Sequence, residues 1–180
     1  MKRTHRTIYR RKREKKTDYR KRLKLLLSER PRLVIRKSNK NTRVQLIGYA
    51  KDGDKVLAMA HTGDLEKLGW VFAKGSVPAA YLTGYLAGKK ALAKGVKSAV
   101  TDIGMYAKSP RLFSALKGAL DSGLDIPHDE KVLPKDEMLN GEHIKAYAAT
   151  LKEGSQFSKT KEKIADYDKI FKQVKEKISQ

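Results

Sequence analysis

The sequence predicts an α/β protein: a mixed β-sheet formed by an antiparallel meander followed by alternating helices and strands, flanked by a basic N-terminal arm and a C-terminal helical extension. Three observations predict it. Short strand-like apolar runs fill residues 33–61, and the last two are joined by Asp52-Gly53, a hairpin signal. From Val77 onward the rhythm changes to longer helical patterns separated by short apolar runs. Before both lies a block of positive charge, thirteen Lys and Arg between Met1 and Lys24 against only Glu14 and Asp18. Such a block cannot bury itself, because each ionised side chain would lose its hydration without gaining a partner.

Within the arm a helix is expected from about Thr17. Thr17 can cap it, Asp18 suits its positive end, and Tyr19, Leu23, Leu26 and Leu27 share one face. That face implies that Tyr19 is a core residue, with Lys21 and Lys24 turned away from it. Pro31 ends the helical region. Leu33-Val34-Ile35 reads as a short strand covered on both faces, and Ser38 to Asn41 as a polar turn. Thr42 to Ala50 follows as a second strand, with Val44 and Leu46 on one side and Gln45 and Ile47 on the other. Lys55 to His61 is the third, and the short connections make the three an antiparallel meander.

Val77 to Lys94 reads as a helix with a small-residue side, Ala80, Gly84, Ala87 and Ala91, closed by Gly95. Glycine weakens a helix, so Gly84 and Gly88 point to close packing on the sheet. Ser98 to Thr101 is short and apolar enough for a buried strand with Asp102 at its end. Ser109 and Pro110 start a helix whose apolar face is Leu112, Phe113, Leu116 and Leu120, and Gly123 stops it. A brief strand is expected around Leu124 to Ile126, then a loop from Pro127 to Glu137 and a short helix from Asn140 to Ala149. Gly154 to Thr160 reads as a linker. Ile164, Tyr167, Phe171, Val174 and Ile178, spaced three and four apart, form a stripe on a last helix of about five turns, expected to lie on its own domain. The divisions expected are 1–29 for the arm and its helix, 30–127 for the α/β core, 128–151 for a loop and short helix, and 152–180 for the linker and amphipathic helix.

The chain has 180 residues, a formal net charge of +21 and a pI of about 10.1. Self-repulsion on that scale favours a bound polyanion. The longest apolar stretch, Val77 to Leu92, is interrupted by Pro78, Gly84, Gly88, Lys89 and Lys90, which argues against a membrane span. No signal-peptide-like apolar segment opens the chain, and cysteine is absent, so thiolate zinc sites, disulfides and thiol nucleophiles are excluded. A soluble, cytoplasmic protein is expected.

The candidate nucleic-acid contacts fall in two groups. In the arm they are Arg3, Arg6, Tyr9, Arg10, Arg11, Lys12, Arg13, Lys15, Lys16, Arg20, Lys21, Arg22 and Lys24. Arginine's planar fork matches phosphate, and Tyr9 can stack on a base. At the first hairpin they are Arg36, Lys37, Ser38, Asn39, Lys40 and Asn41, where cations stand beside amide and hydroxyl groups able to reach phosphates or sugars. An ordinary polar hairpin would use the same Asn and Ser, so the second group is ambiguous by itself.

A search for catalysis finds little. His5, His61, His128 and His143 lack metal-ligand spacing. Gly84 and Gly88-Lys89 fall one residue short of a phosphate loop, with Lys90 at the Ser/Thr position. A two-metal nuclease needs several converging carboxylates, and Asp102 is the only well-placed one. No enzyme activity, metal or cofactor is expected.

The segment Arg30 to Lys40 with the strand after it, the arm's Arg10 to Tyr19, Gly123-Leu124-Asp125-Ile126-Pro127-His128 and Asn140-Gly141-Glu142-His143-Ile144 together resemble a known family. It is the 5S rRNA-binding large-subunit ribosomal protein called L-eighteen in archaea and bacteria and L-five in eukaryotes, here similar to the archaeal form. The resemblance covers Met1 to about Leu151 and leaves the last helix unplaced. It implies a ribonuclease-H-like topology without nuclease activity, and an arm and hairpin that hold 5S rRNA and help seat it in the large subunit. The partners implied are 5S rRNA, large-subunit rRNA and neighbouring large-subunit ribosomal proteins. A ribonuclease-H-like processing enzyme and a general nucleic-acid-compacting protein are the rival readings.

Overall fold

The structure is a computed structural model that describes residues 7–106, 108–150 and 164–179. Four strands form one sheet in the order β3-β2-β1-β4: β1 (Arg32–Lys37), β2 (Thr42–Gly48), β3 (Lys55–His61) and β4 (Val100–Asp102). β1, β2 and β3 pair antiparallel, and β4 joins the far side of β1 in parallel. The mixed α/β sheet expected from the sequence is therefore present, with the meander first and the parallel strand after it. Asp52-Gly53 turns β2 into β3, with Gly53 at φ +137°, a conformation open to glycine. The strand expected at Leu124 to Ile126 contracts to a single parallel bridge between Ser98 and Asp125.

The helices are α1 (Arg10–Arg13), α2 (Tyr19–Leu26), α3 (Asp64–Lys67), α4 (Val77–Leu92), α5 (Pro110–Asp121), α6 (Asp136–Leu139), α7 (Glu142–Thr150) and α8 (Tyr167–Ser179). α3 and α6 fall where no helix was expected: each is a single turn. A 3-10 turn at Glu130–Val132 also interrupts the expected loop.

Strand alternation divides the sheet chemically. Leu33, Ile35, Val44, Leu46, Ala58 and Ala60 face α4 and α5, where Leu112, Ala115, Leu116 and Ala119 complete the main core. Gly84 and Gly88 do permit a close approach, but to helix α5 and not to the sheet. A Cβ at Gly84 would overlap the Ala115 carbonyl, one at Gly118 the Tyr81 carbonyl, and one at Gly88 the Ser122 hydroxyl. The α4 side away from the sheet forms a second core with α8. Tyr81, Leu82 and Tyr85 meet Tyr167, Phe171, Val174 and Ile178 beside Trp70 and Leu65. The terminal stripe thus lies on this same domain, on a helix that begins at Tyr167 and is shorter than expected. The linker expected at 154–160 lies outside the described residues.

Candidate nucleic-acid interface

The other face of the sheet mixes arginines with apolar side chains. In register across it stand Arg36 with Arg43 and His61, Val34 with Gln45 and Met59, and Arg32 with Ile47 and Val56. Like charges opposite one another, as at Arg36 and Arg43, destabilise a sheet unless an anion or a carboxylate intervenes. Asp102, beside Val34 in the parallel pairing, does so for β1.

A network of charge results. Arg32, with only 5% of its side chain exposed, donates to Asp102 Oδ2 at 3.0 Å and to Asp54 Oδ2 at 2.6 Å. Arg36 donates to Asp102 Oδ1 at 3.3 Å and to the Asp102 carbonyl at 2.9 Å. Asp54 also accepts from Arg22 at 3.0 Å, which ties α2 to the sheet. Lys21 Nζ adds a bond to the Gly104 carbonyl at 3.3 Å.

This docking corrects the reading of α2. Its cap is Asp18, whose Oδ1 accepts from the Arg20 and Lys21 amides, while Thr17 Oγ1 accepts from Arg11 Nε at 3.0 Å. None of its residues is buried. Tyr19 is not core; its ring lies 5.2 Å from that of Tyr9, and Leu23 and Leu27 are 60% and 74% exposed. Lys21 does turn away from the leucine face, and on that side Lys21 and Arg22 tie α2 to Gly104 and Asp54. An apolar stripe predicts burial only when a partner surface is available, and the surface here is charged.

A cavity of about 250 Å³ lies between arm and sheet. Arg11, Lys16, Lys21, Arg22, Arg32 and Arg36 line it against Asp18, Asp54 and Asp102. Part of the arm and one residue of the hairpin group, Arg36, therefore share one basic recess, which Lys37 to Asn41 do not line. Elsewhere in the arm Glu14 pairs with Arg10 at 3.7 Å and Lys16 at 2.8 Å, whereas Lys12, Arg13, Lys15, Arg20 and Lys24 stand exposed. Arg3 and Arg6 lie outside the described residues.

At the hairpin, the Ser38 amide donates to the Asn41 carbonyl at 2.8 Å and the Asn41 amide to Ser38 Oγ at 3.1 Å. Asn41 Oδ1 accepts from Thr62 Oγ1 at 3.1 Å. Those side-chain groups shape the turn, leaving Asn39 and Lys40 exposed at its tip and Lys37 half-buried at its base. Sequence reasoning missed Arg43, Arg111 and the carboxylates that fix the arginines. The strand alternation could have placed Arg43 on the face of Arg36; the others depend on tertiary contacts.

Among the described residues no group of three His, Cys, Asp or Glu could hold a metal ion. His128 Nδ1 lies 2.8 Å from the Ile126 carbonyl, and His61 Nδ1 accepts from the Gly63 amide at 3.0 Å. No helix among the described residues is long and apolar enough to cross a membrane.

A strongly basic α/β domain, with an external cationic arm laid beside an arginine-rich sheet face, defines a polyanion-binding class of protein. A family model described as "Ribosomal large subunit proteins 60S L5, and 50S L18" matches residues 3–102. The chain is 49% identical over 183 residues to a Methanococcus maripaludis protein named "Large ribosomal subunit protein uL18", covering 96% of this chain and 95% of the relative. A Korarchaeum cryptofilum protein of that name is 47% identical over 180 residues, covering 95% and 92%. One from Halobacterium salinarum is 49% identical over 146 residues, covering 80% of each. The chain belongs to this family of large-subunit ribosomal proteins. The similarity runs further than the sequence motifs suggested, because 96% coverage takes in most of the chain beyond Leu151.

Proposed function

We propose that this protein is a structural constituent of the large ribosomal subunit that binds 5S rRNA and helps attach it to the subunit, in the cytoplasm. The observation that carries the reading is the shared basic recess, in which Arg11 and Lys16 of the arm meet Arg36 of β1. Family membership supplies the ribosomal context. RNA helices hide their base edges in a deep, narrow major groove, so contacts to phosphates and 2′-hydroxyls dominate. The arm's exposed cations, Lys12, Arg13, Arg20 and Lys24 among them, are suited to the first, and Asn39 and Lys40 at the hairpin tip to both.

The test is competition at fixed, near-physiological salt between 5S rRNA, another structured RNA of equal length and duplex DNA. Preference for 5S rRNA is expected. Equal affinity for the two RNAs sinks the reading, and equal affinity for duplex DNA favours a general compacting protein. The nuclease alternative predicts magnesium- or manganese-dependent RNA cleavage that disappears in Asp102→Asn. Asp102 is already engaged by two guanidinium groups, so no cleavage is expected on a gel.

A further inference from the structure

We infer that Arg111 is a positioning residue that holds the tip of the β1–β2 hairpin in the shape that meets RNA. The inference rests on the reading of that hairpin as an RNA contact. The tip is a short polar turn with three exposed residues, Ser38, Asn39 and Lys40. Burial does not fix it, and ordering such a segment costs about 1–2 kcal/mol of backbone entropy per residue. The bonds between Ser38 and Asn41 close the turn but do not hold Asn39 and Lys40, which leaves a role for outside support.

Arg111, in the first turn of α5, supplies it. Its Nη2 donates to the Ser38 carbonyl at 2.9 Å, while Nη1 donates to the Gly75 carbonyl at 2.9 Å and the Asn39 carbonyl at 3.4 Å. One planar fork thus joins the hairpin tip to the loop that precedes α4. The base of that fork is firm, because the next residue, Leu112, is fully buried in the main core. Gly75 completes the arrangement: a Cβ there would stand 2.8 Å from the Asn39 carbonyl and 3.2 Å from Arg111 Nη1. Lysine has the charge of arginine but one nitrogen in place of two, so it cannot hold the Ser38 carbonyl while also bonding Gly75 and Asn39. Arg111 therefore acts through peptide carbonyls and leaves contact with the RNA to the hairpin itself.

The experiment titrates 5S rRNA with the full-length protein over a series of salt concentrations. Arg111→Lys keeps the charge and loses the fork; Gly75→Ala changes no charge and crowds the same carbonyls. Each is expected to weaken binding about tenfold, with the slope of log affinity against log salt unchanged. Amide exchange should quicken at Ser38 to Asn41 while protection within α4 and α5 stays as in the parent. Lys40→Ala, a direct contact on this reading, should instead reduce the magnitude of the slope by about 0.7–0.9. Wild-type affinity in Arg111→Lys overturns the inference and makes Arg111 an exchangeable cation; if that variant does not fold, wild-type affinity in Gly75→Ala overturns it equally. Should Lys37→Ala and Lys40→Ala both leave affinity and slope untouched, the hairpin's role in RNA binding falls, and the inference with it.

Discussion

Asp102 is almost buried at the end of β4, and both its carboxylate oxygens are engaged, Oδ2 by Arg32 and Oδ1 by Arg36 and the Gly104 amide. Removing one partner of a buried ion pair leaves the other charge uncompensated. Asp102→Ala is therefore expected to lower stability by about 3 kcal/mol in urea unfolding. A loss under about 1 kcal/mol would mean that Asp54 alone satisfies Arg32. Two of the three buried tyrosines of the second core predict a pH effect. Burial, then the hydrogen bond to Asp121, pushes the Tyr81 phenol up from its ordinary value, and burial pushes up Tyr167. In the unfolded chain these phenols ionise near pH 10, whereas in the folded protein they stay protonated. The unfolded state then binds fewer protons, so stability is full below about pH 10 and falls as pH rises above it. The Tyr167 hydroxyl is buried and finds no hydrogen-bond partner among the described residues. Tyr167→Phe should keep the parental Tm at pH 7 and show a shallower loss of Tm above about pH 10; an unchanged slope would place the effect elsewhere.

At the scale of elements, the α4–α5 contact is the tightest feature of the fold. Gly84→Ala would drive a methyl group into the Ala115 backbone, and two packed helices cannot yield as a flexible side chain can. A loss of about 3 kcal/mol is expected in thermal or urea melts, and a neutral result would show that the helices slide apart freely. The glycine spacing revealed that something approaches α4 closely. It could not say whether that was sheet or helix, because a missing side chain carries no information about its neighbour. α2 failed differently: its leucine face was legible, but it is docked through Arg22 to Asp54 and Lys21 to Gly104, contacts more than thirty residues distant. Helix α1 has four residues, none buried. A single turn is unstable alone. Amides of Arg10 to Arg13 should exchange at near-unprotected rates in the free protein and slow when 5S rRNA is added; equal rates in both states would remove the arm from the interface.

For the whole molecule, a net charge of +21 sets how binding responds to salt. If about eight phosphates are neutralised, log affinity for 5S rRNA should fall against log salt with a slope of roughly −6 to −7. Replacing Arg10, Arg11, Lys12 and Arg13 together by Gln should reduce that slope by about 3. An unchanged slope would assign the phosphate contacts to the sheet face and hairpin. α8 belongs to this scale too, since its stripe closes the second core over α4, the helix that joins both cores. The stripe's amphipathic pattern predicted burial, and the apolar outer side of α4 provides the surface that α2 lacks.

By itself the sequence determined the three strands of the meander, the class of fold and the ribosomal family. These depend on local quantities: alternation, turn chemistry and short motifs. Only the tertiary structure decided that Arg36 shares Asp102 with Arg32, that the arm is latched by Arg22 to Asp54, and that Arg111 braces the hairpin. Each of these joins residues far apart in the chain. No periodicity encodes such a meeting; it exists only once the helices and the sheet have set their distances.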